Sequence, residues 1–145
     1  MTLSSHLDGH LHTERLYLRP YQGDDAKALF AIANDPQVVR YLPDKSISLA
    51  ELESLIAWSG DCYRQNRAGA IIKLNLAITR AQQVMGWCGL GPSDLNPDWY
   101  ELYYALAPAQ QGQGYAFEAV QALVTKALSD YDLPVLTSTV VPDNG

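Results

Sequence analysis

Trp99-Tyr100-Glu101-Leu102-Tyr103-Tyr104-Ala105-Leu106, then Ala107-Pro108-Ala109-Gln110-Gln111-Gly112-Gln113-Gly114, then Tyr115-Ala116-Phe117-Glu118-Ala119, is the stretch on which the fold turns. Its first part reads as a strand, aromatic and apolar through Leu106. Beyond Pro108 the period changes, and Ala116, Val120, Leu123, Val124 and Ala127 recur at helical spacing over 115–128. Two glycines thus stand between a strand and a helix, where they permit tight turning and close approach of another group. The first amides of a helix lack intrahelical acceptors. With the helix dipole they favour anionic oxygens by about 0.3–1 kcal/mol per charge. Alone, Gly-x-Gly is a weak signal, and a plain loop into a helix accounts for it. A full Gly-x-Gly-x-x-Gly is absent because Phe117 holds the third place, and no Gly-Lys-Ser/Thr is present for a Walker loop.

Upstream, residues 71–79 alternate, with Ile72, Leu74, Leu76 and Ile78 on one face, and Ala81-Gln82-Gln83 reads as a hairpin connection into a strand over 84–90. Asp94-Leu95-Asn96-Pro97-Asp98 is a turn cluster. Short links predict an antiparallel meander. Ser48-Leu49-Ala50-Glu51 has capping-box spacing, so a helix starts there and runs to about Asn66, with Leu52, Leu55, Ile56, Ser59 and Tyr63 on its packed side. Nearer the start, 14–20 alternates as a strand closed by Pro20, and Gly23-Asp24-Asp25 opens a helix with an Ala26, Leu29, Phe30, Ala33 stripe. Asn34-Asp35-Pro36 begins a short second helix carrying Val38, Val39, Tyr41 and Leu42. Downstream, 133–141 reads as a last strand. The predicted class is α+β, antiparallel first, with a crossover to a parallel strand at the end.

The chain has 145 residues, 48% hydrophobic and 18% charged, which fits one globular domain over 1–145. Its formal net charge of -6 argues against a nucleic-acid partner and is compatible with a cationic amine. Cys62 and Cys88 read as two buried thiols. His6, His10 and His12 cluster without a cysteine, so residues 1–12 read as a solvated, flexible leader and no metal site is expected. The start lacks a signal peptide's basic flank and apolar run, and no stretch approaches the ~20 apolar residues of a membrane span. The expected location is therefore cytoplasmic, with no membrane partner.

Four stretches together resemble the GNAT superfamily of N-acetyltransferases, and within it the RimJ/RimL-like group. They are Thr13-Glu14-Arg15-Leu16-Tyr17-Leu18-Arg19-Pro20; Asn34-Asp35-Pro36 with Val38-Val39-Arg40-Tyr41-Leu42; Met85-Gly86-Trp87-Cys88-Gly89-Leu90; and the strand from Glu101 running into Gly112-Gln113-Gly114-Tyr115-Ala116-Phe117-Glu118-Ala119. They lie in the family's order and cover nearly all of the chain. The resemblance implies a GNAT-type mixed, mostly antiparallel sheet flanked by helices. It implies acetyl-CoA as co-substrate, no metal, and direct acetyl transfer to a primary amine, either a protein N-terminus or a small molecule. It implies that backbone amides of Gln111, Gly112, Gln113, Gly114, Tyr115 and Ala116 hold the CoA pyrophosphate. The main chain at Leu106 would pair with the pantetheine arm, and Asn144 would complete the cofactor slot. Glu101 resembles the family's strand glutamate and is the candidate general base; a solvent-facing surface glutamate is the equal alternative. Tyr103 and Tyr104 are candidate acceptor-groove residues, with simple strand packing as the alternative. Trp87 and Trp99 are open between core and groove.

Two departures from the family pattern matter. Ala109 holds the first position of Gln/Arg-x-x-Gly-x-Gly/Ala, and Gln111 replaces an aromatic often found before the first glycine. The family also continues past the equivalent of Val141-Pro142-Asp143-Asn144 with a helix and two strands, which this sequence lacks. That helix normally carries the acid for the thiolate, so none is assigned. A truncated gene or chain, a partner chain supplying the wall (a homodimer exchanging segments, for instance) and a non-catalytic CoA-binding or interaction module all remain open.

Overall fold

The computed structural model describes residues 9–40, 47–93, 96, 98–133 and 136–138. Five strands form an antiparallel run: β1 (Leu11–His12), β2 (Tyr17–Pro20), β3 (Leu74–Arg80), β4 (Gln83–Pro92) and β5 (Tyr100–Leu106). A sixth, β6 (Leu136–Ser138), pairs parallel to β5, so the spatial order is the sequence order. The described α-helices are α1 (Ala26–Ala33), α2 (Pro36–Val39), α3 (Leu49–Gln65) and α4 (Tyr115–Ser129). This is the expected α+β class, including the parallel crossover at the end.

Register explains the two layers. Trp87 stands opposite both Ala77 and Ala105, and these three face the α1–α3 layer, where Trp87 packs against Ala26, Leu29 and Ile32. One residue along, Leu76, Cys88 and Tyr104 face the other way. There Leu74, Leu76, Ile78, Leu90, Leu102 and Leu106 meet Tyr115, Ala119, Leu123 and Ala127 of α4. Each large aliphatic side chain buried in this way stabilises by about 1.5–3 kcal/mol. Because both faces of the sheet are covered, β3 reads as a nearly unbroken buried run.

The helix starts follow their sequence signals. Ser48 and Glu51 form the reciprocal capping box, and Asp35 caps α2 by accepting from the Gln37 amide, with Pro36 first in the helix. A short 3-10 turn, Gly23–Asp25, leads into α1. Two expectations shift. Leu11 and His12, inside the stretch read as a leader, pair with Leu18 and Tyr17, because Leu11 finds a buried place beside the core. Ile72, placed on the Leu74 face, is 43% exposed. Asn66 binds the Ile72 amide and the Lys73 carbonyl, so the ladder starts only at Leu74.

An ion pair pins β2 to the first helical layer. Arg19 donates to both oxygens of Asp25, at 2.8 and 2.9 Å, and the Gln22 amide adds a third bond at 2.7 Å. Burial alone would raise the Asp25 carboxyl. The bonds from Arg19 and Gln22 outweigh it and hold the group below its ordinary range. A depressed folded-state pKa contributes stability that is present above the unfolded pKa and is lost as pH falls through the folded one. Asp25→Asn should therefore cost about 3–5 kcal/mol at neutral pH by leaving Arg19 unpaired, and should flatten the acid limb of stability. Urea unfolding from about pH 7 to about pH 3 checks this, and an unchanged acid limb would refute the assignment.

Candidate active site

The chain leaves β5 at Leu106 and is held at once: the Ala107 amide donates to the Met85 carbonyl at 2.8 Å. Met85 is the extra residue of a bulge, since Ile78 faces Gly86 while Thr79 faces Val84. A 3-10 turn over Pro108–Gln110 follows, closed by Gln110 donating to Ala107 and Gln111 to Pro108. Gly112 and Gly114 then adopt φ of 80° and 83°, the left-handed region that favours glycine, and α4 begins at Tyr115. Among the described residues, the amides of 112 and 114–117 meet no hydrogen-bond acceptor, while that of Gln113 closes the turn over Gln111 and Gly112. Five donors around the start of the helix make a cradle for anionic oxygens, and a Cβ on Gly112 would meet nothing within 4 Å.

Gln111 departs from its expected part. Its amide is used inside the 3-10 turn, and its side-chain nitrogen donates to the Leu106 carbonyl at 3.0 Å. That carbonyl is where the family resemblance puts the pantetheine arm. It keeps a second lone pair, but Gln111 stands beside it.

What lies behind the turn has no local sign in the sequence. Arg15, on the connection between β1 and β2, donates from Nη1 to the Gln113 carbonyl at 3.1 Å and from Nε to Glu118 at 2.7 Å. Its guanidinium lies 4.4 Å from the Tyr115 ring centre, with that of Arg80 at 5.7 Å. Glu118 also accepts from the Thr13 hydroxyl and the Arg15 amide. Burial opposes its ionisation, but the bonds from Thr13 and Arg15 hold its carboxyl below the ordinary range. Only a fold that brings residues 103 apart together could show this set.

On β5, alternation sorts the other candidates. Glu101 and Tyr103 share the α1–α3 face with Ala105, whereas Tyr104 packs on the α4 side. The two tyrosines therefore do not line one groove. Tyr103 lies across Gly89, where a Cβ would come 2.5 Å from its hydroxyl. The hydroxyl donates to Asn75, which in turn donates to Ser59 at 2.9 Å, while Tyr63 bridges the Asn75 carbonyl and the Tyr21 amide. Burial pushes the Tyr103 phenol well above its ordinary value. Lys73 reaches the same patch, 4.6 Å from the Tyr103 ring centre and 3.5 Å from where a Gly91 Cβ would be. Gly91 is the direct partner of Glu101. Glu101, Tyr103 and Lys73 thus share one patch of this face, alongside two side-chain-free positions of β4.

Asn144 and His6 lie outside the described residues. Trp87 is half-buried between α1 and the sheet, and Trp99 is 38% exposed. Cys62 and Cys88 are both free and buried, and burial pushes the Cys88 thiol up to about 12. His10 and His12 stack on Tyr17. Among the described residues no group of three His, Cys, Asp or Glu side chains could hold a metal, and no helix is long and apolar enough to cross a membrane.

Residues 15–145 match the acetyltransferase (GNAT) domain family. An uncharacterized N-acetyltransferase, p20, of Bacillus licheniformis is 29% identical over 137 residues, covering 92% of this chain and 74% of that protein. Mycobacterium smegmatis RimJ, solved in complex with CoA-disulfide, superposes with a TM-score of 0.72 at 20% identity, over 89% of this chain and 64% of that one. A Salmonella typhimurium acetyltransferase that modifies the N-terminal serine of ribosomal protein L7/L12 superposes at 0.73 and 19% identity, over 91% and 74%.

Proposed function

The chain belongs to the GNAT acetyltransferase family, the class of N-acetyltransferases, and from that premise we propose that it takes acetyl-CoA and transfers the acetyl group to a primary amine. The observation that carries this reading is the set of unpartnered amides at 112 and 114–117 beyond the end of β5, carried by two left-handed glycines and the first residues of α4. Such a turn suits a pyrophosphate, and an acidic chain needs no lysine cluster to hold one. Acetyl-CoA supplies the activated thioester carbonyl.

The protein's part is to bind, orient and move a proton. Gly112, Gly114, Tyr115 and Ala116 hold anionic oxygens through their amides. The Gln111 side chain must give way or share where the Leu106 carbonyl meets the cofactor arm. Glu101 accepts the proton of the incoming ammonium, directly or through water, on the face it shares with Tyr103. Nearby Lys73 opposes a second positive charge there, which favours the neutral, reactive form of the amine. Protein N-termini suit this arrangement because their amines ionise near pH 8 rather than the ~10.4 of lysine. The Salmonella neighbour's substrate is of this kind. Reading the acceptor as a protein N-terminus also favours a cytoplasmic location.

CoA titration by calorimetry, followed by acetyl-CoA turnover against an amine panel, tests the proposal. Saturable CoA binding without turnover would leave a CoA-binding module instead of an enzyme. Glu101→Gln should lower kcat by about 100-fold or more, within the usual range for a lost general base. A rate like the wild type's would show that Glu101 is a surface carboxylate.

A further inference from the structure

Resting on the acetyl-CoA reading of the turn, we propose that Arg15 is a positioning residue for that turn, acting through Gln113 and Glu118. The peptide plane supplies the first half of the argument. In a trans peptide, the carbonyl of one residue and the amide of the next point in opposite directions. Arg15 Nη1 holds the Gln113 carbonyl at 3.1 Å, so the Gly114 amide is aimed away from Arg15 and into the cradle. The guanidinium also covers the Tyr115 ring, and its Nη2 lies 3.4 Å from where a Gly114 Cβ would be. One side chain therefore fixes three successive residues of the turn from behind.

Charge supplies the second half. Glu118 lies in the first turn of α4, where the helix dipole favours a carboxylate and where that carboxylate opposes any anion at the same helix end. Arg15 takes Oε1 through Nε and Oε2 through its own amide, and Thr13 takes Oε2 as well. The carboxylate is thereby neutralised and turned toward the β1–β2 connection. Without Arg15, the turn would lose its aim and the cradle would face an unpaired negative charge.

Calorimetry with CoA on the wild type, Arg15→Gln, Arg15→Lys, Glu118→Gln and the Arg15→Gln/Glu118→Gln double variant tests this. Arg15→Gln should raise the CoA Kd about tenfold or more, as loss of a charge-assisted contact does. The KM for acetyl-CoA should rise with it, while kcat stays within about twofold, because chemistry on the Glu101 face is untouched. Lysine should rescue only in part, since an ammonium cannot bridge Gln113 and Glu118 while lying flat on Tyr115. The double variant should recover part of the loss by removing the unpaired carboxylate. Should Arg15→Gln fail to fold by circular dichroism, Arg15→Lys and Glu118→Gln carry the same comparison. A CoA Kd within twofold of wild type in the Arg15 variants, a loss in kcat rather than KM, or a double variant no better than Arg15→Gln would overturn the role of Arg15. A wild-type protein that does not bind CoA would instead overturn the acetyl-CoA reading itself.

Discussion

Gly112→Glu is expected to weaken CoA binding by about 100-fold or more while leaving the protein folded. Gly112 has a φ of 80° and nothing within 4 Å of its Cβ position, so the new side chain meets no steric obstacle. Two costs remain. An L residue in the left-handed region is strained by roughly 1–2 kcal/mol. A carboxylate in a cradle built for phosphate oxygens meets like charge at close range, worth about 4 kcal/mol at 4 Å with an effective dielectric near 20. Gly112→Asn separates them, because asparagine tolerates the left-handed region and carries no charge. Calorimetric Kd should stay within about fivefold of wild type for the asparagine variant and be beyond reach for glutamate. Equal affinities for all three would remove the turn from the binding site.

A large loss of stability is expected at Gly86. A Cβ there would come 2.1 Å from the Ala105 carbonyl oxygen and 2.9 Å from the Leu106 Cα, and both are backbone atoms that cannot swing aside. Gly86 pairs with Leu106 beside the Met85 bulge, so alanine would force β4 from β5 where the chain is tied down before the turn. The loss should reach about 3 kcal/mol or more, the upper part of the range for overpacking. For a chain of this size that lowers Tm by about 10 °C. A thermal scan of Gly86→Ala checks it, and a Tm within about 2 °C of wild type would mean the two strands separate at little cost.

Legibility in the sequence followed interaction range. Ser48 with Glu51 and Asp35 with Pro36 place their helix starts through contacts a few residues apart, and the structure holds them where expected. Alternation along β5 was equally readable in principle: consecutive Tyr103 and Tyr104 must face opposite ways in a strand. One groove can therefore take only one of the two candidate tyrosines. Ile72 departs from its alternation because its position depends on Asn66, whose side chain delays the ladder by two residues. Leu11 and His12 joined the sheet because β2 offered a partner edge.

The turn at 110–116 shows where the division falls. By itself the sequence determined that a strand ends near Leu106, that a helix starts near Tyr115, and that two glycines between them allow left-handed backbone. All three are consequences of side-chain period and of the missing Cβ. Only the tertiary structure decided which amides remain without an acceptor, that Gln111 attends the Leu106 carbonyl, and that Arg15 holds Gln113 while neutralising Glu118. The physical reason is that charge pairing and hydrogen bonding act over a few ångströms of space, and across 103 residues of chain only the folded sheet brings those groups within reach.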